Sequence, residues 1–362
     1  MSAVLHDVAV GLQTGGIFFY KALWSILFGV CVSAIIDVFV NKEKMAGMLG
    51  GRGPKTVGIA AGLGAASSAC TFGAVSISQA LYKKGASTEA TLAFALASTN
   101  IVFELAVLIY VLLGGAVLAG ELLSGLMLIV IMYTLVHLTL PVKTFELARR
   151  RLQERDKGTP SAMRRLTDVG IWHRIADRYF RTLNRIGKSV AFGFFAAGFI
   201  AALMPARVWT VLFLAPRGFL AILENAMLGI GVGMLSMIGS IGIVPFAAAL
   251  AVGGVGFSGV LGCIVADLIT IPVLNVWRRF FGARATAYIT VILFTSMVGS
   301  TVLITYIFRQ FGWLPTALKT GPTTHFHFHL NYTLMLNVLF LGITLALWTV
   351  KKIGEAKQNA QA

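Results

Sequence analysis

The sequence predicts an all-α integral membrane protein, built as an inverted repeat of transmembrane helices with two re-entrant or broken hairpins. Three observations predict it. The chain is 57% hydrophobic and 12% charged, with a mean hydropathy of +0.84, too apolar for a soluble globule of this length. Apolar runs long enough to span about 30 Å of hydrocarbon recur near 20–40, 88–113, 117–141, 187–205, 256–277, 284–307 and 330–350. A stretch of the first half, Ser67 to Glu104, is echoed without gaps 169 residues later, so that Gly73, Leu81, Gly85 and Ala97 fall on Gly242, Leu250, Gly254 and Ala266.

Charge sets the expected topology. The net charge of +16 alone would suit nucleic acid, but Lys and Arg lie in loops between apolar runs rather than among exposed aromatics, so the better reading is a topology signal, and no nucleic-acid partner is expected. If every apolar segment crossed the membrane, the basic residues would divide 18 to 12 between the two sides. If 57–82 and 218–252 enter and leave on one side, they divide 25 to 4, with Lys21 at an outer edge. The positive-inside rule selects the second arrangement. Each half then has three crossings and one hairpin, and the second half enters from the opposite face. The expected organisation is a first membrane repeat over 1–141, a cytoplasmic basic loop with an amphipathic helix over 142–186, a second repeat over 187–307, an extracytoplasmic loop over 308–329, and a final crossing with a cytoplasmic tail over 330–362. The expected location is the cell inner membrane, with the C-terminus cytoplasmic.

In chain order, Val4, Leu5, Val8 and Leu12 have helical spacing and predict a short helix on the outer interface before the first crossing. The first hairpin has a tip of small and hydroxyl-bearing residues, Ser67, Ser68, Cys70, Thr71 and Gly73. Such backbone is tolerated at membrane depth only where protein buries it or a wet cavity receives it, so the tip is a candidate substrate site; small-residue helix packing is the plainer reading. The crossing 88–113 carries Ser98, Thr99 and Asn100, with Asn100 and Glu104 four residues apart on one face. A carboxylate at that depth costs several kcal/mol unless protonated, paired or hydrated. Glu104 is therefore a proton-coupling candidate or a structural hydrogen-bond partner.

In the long inner loop, Trp172, Ile175, Ala176, Tyr179, Phe180, Leu183 and Ile186 form an apolar stripe, with arginines mostly on the other face. The pattern predicts an amphipathic helix on the cytoplasmic lipid surface. The second hairpin runs through Ser240 to Pro245, and its partner crossing carries Asp267 near its middle, a second proton-coupling candidate. Pro272 should open the helical ladder there. In the outer loop, His325, His327 and His329 would point to one side of an extended chain and could chelate a metal ion; a loop without metal is the plainer reading. Cys31, Cys70 and Cys263 lie in apolar segments with no paired spacing, which implies no disulfide framework. No cofactor is expected, and a homo-oligomer is left open.

Three motifs carry a resemblance to a known family: CTFGAVSISQALYKKGAS from Cys70, LAFALASTNIVFE from Leu92, and VPFAAAL with GVLGCIVADLITIPVLNVWRRFFG from Val244. With these the chain resembles the predicted permease family that includes the efflux permeases for trivalent organoarsenicals. Many relatives have Cys-x-Cys-Gly and then Pro at the first hairpin; here Phe72 and Ser76 stand at the second Cys and the Pro. The resemblance implies proton-coupled efflux of an organoarsenical-like or other soft metalloid compound, with Cys70 as the only candidate thiol at a midplane site. Uptake or channel conduction of a small anion, sulfur compound or metal species remains open, as does a non-transporting scaffold. No HExxH or GxSxG motif points to an intramembrane enzyme.

Overall fold

The computed structural model describes residues 2–39, 47–67, 71–154, 169–203, 208, 211–213, 218–236, 240–315 and 332–359, and all regular structure among them is helical. The helices are α1 (Ser2–Phe39), α2 (Pro54–Ser67), α3 (Thr71–Lys83), α4 (Thr88–Asn100), α5 (Phe103–Leu113), α6 (Gly115–Thr139), α7 (Val142–Glu154), α8 (Val169–Leu203), α9 (Phe219–Leu235), α10 (Ser240–Val252), α11 (Phe257–Val265), α12 (Ile271–Phe281), α13 (Ala283–Gln310) and α14 (Tyr332–Asn359). A 3-10 turn, Ala266–Ile269, joins α11 to the approach to α12.

Four segments are long and apolar enough to cross a membrane: Gly115–Thr139, Phe257–Phe281, Ala283–Gln310 and Leu334–Gly354. A fifth is the pair Thr88–Asn100 and Leu105–Leu113, bent by 43°. The chain is thus a multi-pass membrane protein. The remaining two expected crossings fall within α1 and α8, which are 38 and 35 residues long.

The repeat is visible in the element boundaries. Thr71–Lys83 and Ser240–Val252 start and stop at the same offset, as do Thr88–Asn100 and Phe257–Ile269. Packing repeats as well. A Cβ on Gly64 would lie 2.5 Å from the Phe94 carbonyl oxygen, and one on Gly233 2.7 Å from that of Cys263, with both glycines and both carbonyls 169 apart. Small residues at such crossings let backbones approach where lipid supplies no hydrophobic drive. The ends of the first helix pair lie side by side, since Ser87 N–H donates to the Leu49 carbonyl at 2.8 Å. Around the second pair, the Phe213 ring lies against Gly259, where an added Cβ would come within 2.9 Å.

Three expectations are corrected. The N-terminal segment is not an interfacial helix followed by a separate crossing but one helix, α1. It stays unbroken because α8 packs along it, with the Phe199 ring 2.5 Å from where a Gly11 Cβ would stand. The crossing 88–113 is not one helix, so Asn100 and Glu104 do not share a helical face: Ile101 and Val102 leave the helical region (φ −113°, ψ 58° and φ −127°, ψ 145°). The stripe after residue 168 packs in part on protein rather than wholly on lipid, with Trp172 exposed and Phe180 and Leu183 half-buried. Ile171, Ile175, Ala176 and Tyr179 are buried, because α14 supplies a partner surface: Tyr179 and Thr344 hydroxyls are 2.6 Å apart and Lys351 reaches Asp177 at 3.9 Å. Within the inner loop, α7 forms besides, burying Phe145, Ala148 and Leu152.

Two apolar cores hold the bundle, and each draws on both halves. One contains α2 to α4, the far end of α6, α7, α12 and most of α13. The other contains α1, α5, α8, α10, α11, α14 and the end of α13. Each broken crossing therefore sends one part to each core: α4 and α12 to the first, α5 and α11 to the second. The breaks lie at the junction.

Candidate functional site

At that junction the sequence interrupts two helices and leaves polar groups where the ladder stops. Pro272 is at the second position of α12, where its missing N–H forfeits no helical bond, and Thr270 caps the helix in an extended conformation (φ −63°, ψ 149°). The carbonyl of Leu268 is taken by Trp277 Nε1 at 3.3 Å. On the 3-10 turn, Asp267 is 1% exposed.

The Asp267 carboxyl joins the two halves. Thr71 Oγ1, at the start of α3, donates to Asp267 Oδ2 at 3.3 Å. The same hydroxyl shares a hydrogen bond with Ser240 Oγ at the start of α10 and accepts from Ser240 N–H at 3.2 Å. The hydroxyls of Ser240 and Thr99 and the N–H of Leu268 also surround the carboxyl. From the first broken crossing, Asn100 Nδ2 donates to Thr99 Oγ1 at 3.1 Å and to the Leu96 carbonyl at 3.1 Å. All of these residues are buried.

Electrostatically, the first residues of α3 and α10 meet at one carboxyl, so the partial positive ends of two helices offset its charge. Asp267 Oδ1 and Asn100 Oδ1 nonetheless have no hydrogen-bond partner. A buried polar atom left so costs roughly 1–3 kcal/mol. These are two free acceptors of different chemistry, one on each broken crossing: the carboxyl can take a proton, and either can accept a hydrogen bond from a donor group of a solute.

Of the expected site residues, Thr71, Thr99, Asn100, Ser240 and Asp267 come together. Ser67 and Ser98 are buried nearby in sequence but spend their hydroxyls within their own helices, on Gly64 at 2.7 Å and Ala95 at 3.0 Å. Gly73 lies in α3 and Pro245 inside α10, without a polar part in the network. Glu104 is the second residue of α5; its side chain lies outside the described residues, as do Ser68, Cys70 and the histidines at 325, 327 and 329. Among the described residues no group of three or more His, Cys, Asp or Glu could hold a metal ion. Cys263 is buried in α11 and Cys31 half-buried on α1.

One residue escaped sequence reasoning. Glu121, in the first third of α6, is 1% exposed, and neither carboxyl oxygen has a partner. A lone carboxylate inside an apolar run was the available signal, the same that singles out Glu104 and Asp267.

Comparison with known proteins agrees with the multi-pass architecture. The model of the predicted permease family matches residues 13–308. The candidate permease Rv2963 of Mycobacterium tuberculosis (strain ATCC 25618 / H37Rv) is 31% identical over 325 residues, covering 85% of this chain and 79% of that protein. No solved structure matches. The chain belongs to the predicted permease family.

Proposed function

We propose that this membrane transporter exports a small solute in exchange for protons, through a site formed by Thr71, Ser240, Asp267, Thr99 and Asn100. The observation that carries the reading is the hydrogen-bonded contact between the starts of α3 and α10 over one buried carboxyl. A polar cluster at the meeting of two broken segments is the usual form of a transport site in repeat-built carriers.

The halves are oppositely oriented in this reading, and 57–82 and 218–252 are hairpins that return to the side they enter from. The bond between Leu49 and Ser87 supports it, because a single pass would separate these residues by the hydrocarbon thickness, about 30 Å. Residues 1–141 and 187–307 are the two repeats, and 142–186 and the C-terminus lie in the cytoplasm, under a cell inner membrane. The substrate class is a soft, metalloid-bearing compound such as a trivalent organoarsenical, with Cys70 as its thiol. The family resemblance carries that choice. Asp267 exchanges protons with the solute's passage, and Glu104 shares that role.

The test uses the full-length protein in vesicles under an imposed pH gradient, with trivalent phenylarsenical as probe. Asp267→Asn is expected to lower gradient-driven transport by about tenfold or more. Full transport in both Asp267→Asn and Glu104→Gln overturns the proton exchange. Absence of phenylarsenical transport in the unaltered protein overturns the substrate class.

A further inference from the structure

The Asp267 network leaves Glu121 unused, although among the described residues it is the buried carboxyl with both oxygens unpartnered. Two hydrogen bonds fix its surroundings. Thr139 Oγ1 lies 2.9 Å from the Tyr288 hydroxyl, and Ser124 Oγ donates to Ser300 Oγ at 3.2 Å. Residue numbers fall along α6 as they rise along α13, so the two helices run antiparallel and the seam between them continues past Ser124 and Ser300. The next turn of α6 holds Glu121. Beside and beyond Ser300, α13 carries Thr301 and, one turn after it, Thr305, both buried, with hydroxyls that also lack partners.

The same face of α6 looks towards the site. Glu121 and Gly125 are four residues apart and share a face. A Cβ on Gly125 would stand 3.4 Å from Asn100 Cβ and 3.1 Å from Ile101 Cγ1, at the break of the first crossing. On the other side, one on Gly120 would stand 2.5 Å from the Phe257 ring, and that ring stacks on Phe308 at 5.4 Å. Glu121 thus occupies a level between the Asp267 network and an aromatic layer towards the Gly115 end of α6.

We propose that Glu121 is a second proton-carrying carboxyl of this permease, exchanging its proton with Asp267 between the network and the outer end of the bundle. The proposal deepens the proton-exchange reading and rests on it for the role of Asp267. A proton from the outer side binds a Glu121 oxygen. Its O–H bond then breaks as one forms on Asp267, and the proton leaves inward when the solute leaves outward. The hydroxyls of Thr301 and Thr305 can donate to Glu121 while it is ionised.

Other ionisable groups on the surrounding helices do not compete for this role. Asn100 of the Asp267 network is the polar side chain that the Glu121 face of α6 meets, at Gly125. Tyr288 is tied to Thr139 at the far end of the seam, Glu89 sits in the first turn of α4, Cys263 lies in α11, and Tyr110 on α5 is exposed. Glu104, also on α5, has a side chain outside the described residues.

The experiment reads protonation without a substrate. Infrared difference spectra between acidic and alkaline pH are recorded on the full-length protein in lipid nanodiscs in potassium chloride, in the band of protonated carboxyls. Two buried components are expected; Glu121→Gln removes one, Asp267→Asn removes the other, and each substitution moves the midpoint of the survivor. Glu121→Asp, which keeps the carboxyl, is expected to shift its component rather than delete it and serves if Glu121→Gln does not fold. A spectrum unchanged by Glu121→Gln, or by Glu121→Asp in its place, overturns the proposal. So does loss of the Glu121 component when sodium replaces potassium at fixed pH, which marks a sodium site. A spectrum that responds to Glu121→Gln but not to Asp267→Asn supports Glu121 as proton carrier and sinks the role given to Asp267.

Discussion

Thr71 and Ser240 stand 169 residues apart, the offset of the internal repeat, and their hydroxyls share a hydrogen bond. Each is the first residue of its helix, in α3 and α10. Equivalent residues of two halves can touch in this way only where the halves meet. The relationship is not symmetric in its chemistry, because the acid of the second half, Asp267, falls on Ser98 of the first, and Asn100 of the first falls on Ile269 of the second. The second broken crossing therefore carries a carboxyl where the first carries a carboxamide two residues further on.

This contact predicts non-additive behaviour. Thr71→Val removes the donor to Asp267 as well as the bond to Ser240, whereas Ser240→Ala removes only its hydroxyl. Each single change is expected to cost about 1–3 kcal/mol of stability. The double variant should cost less than the sum, by about 0.5–3 kcal/mol. Thermal unfolding of the four proteins in one detergent closes the cycle. Strict additivity would mean that the two hydroxyls do not act together.

The glycine pair at the helix crossings predicts matched losses in the two halves. An alanine at 64 or 233 must displace a backbone carbonyl, of Phe94 or Cys263, rather than a flexible side chain. Overpacking of this kind costs about 1–3 kcal/mol. Gly62→Ala is the control, since nothing lies within 4 Å of its added Cβ; it should be neutral or slightly stabilising. Heating curves of the three variants decide it, and a neutral Gly64→Ala would contradict the close approach of α2 to α4.

Arg149 of α7 ties the inner loop to the first helix pair. Its guanidinium stacks over the Tyr82 ring at 4.3 Å and donates to the Ala86 carbonyl at 2.6 Å, while the Tyr82 hydroxyl donates to the Phe145 carbonyl at 2.7 Å. Arg149→Lys keeps the charge but not the planar stack. It should be destabilised by about 0.5–2 kcal/mol and should raise protease cleavage within 142–168. Unchanged cleavage would show that α7 holds its place without the arginine.

What the sequence disclosed follows from what local chemistry can encode. The break beside Asp267 was legible, because Pro272 cannot continue a ladder from its amide and the chain gives way at Ala266–Thr270. The break at Ile101 and Val102 was not. Neither proline nor glycine marks it, and two β-branched residues in an apolar run read as continuous helix. Its cause is tertiary, the division of α4 and α5 between two cores. The meeting of Thr71 with Ser240 and Asp267 was legible through the repeat, since the offset aligns both helix starts. Glu121 carried the same local signal as Glu104 and Asp267, a lone carboxylate in an apolar run, but nothing in the repeat or in a neighbouring polar motif drew attention to it. The apolar stripe of α8 was legible as a stripe, but the packing of Ile175, Ala176 and Tyr179 on protein was not, because periodicity marks a buried face without naming what buries it.

The proposed opposite orientation of the halves predicts a labelling pattern. Each member of the first helix pair has 14 or 13 residues, about 20 Å of helix at 1.5 Å per residue, which is too short to cross alone and long enough to reach the middle and return. Leu49 and Ser87 close that excursion. Single cysteines at Arg52 and Lys84, both exposed, should therefore react with an impermeant maleimide from the cytoplasmic side only. Cysteines at Val252 and Trp313, at the far ends of α10 and α13 and also exposed, should react from the outside only. Inside-out and right-side-out vesicles give the two readings. If positions 52 and 84 label from different sides, the first pair is a single pass, the count of crossings in that half becomes even, and the halves must run parallel. In that case Thr71 and Ser240 would be neighbours without a pseudo-two-fold axis, and the proposed mid-depth position of the Asp267 network would lose its reason.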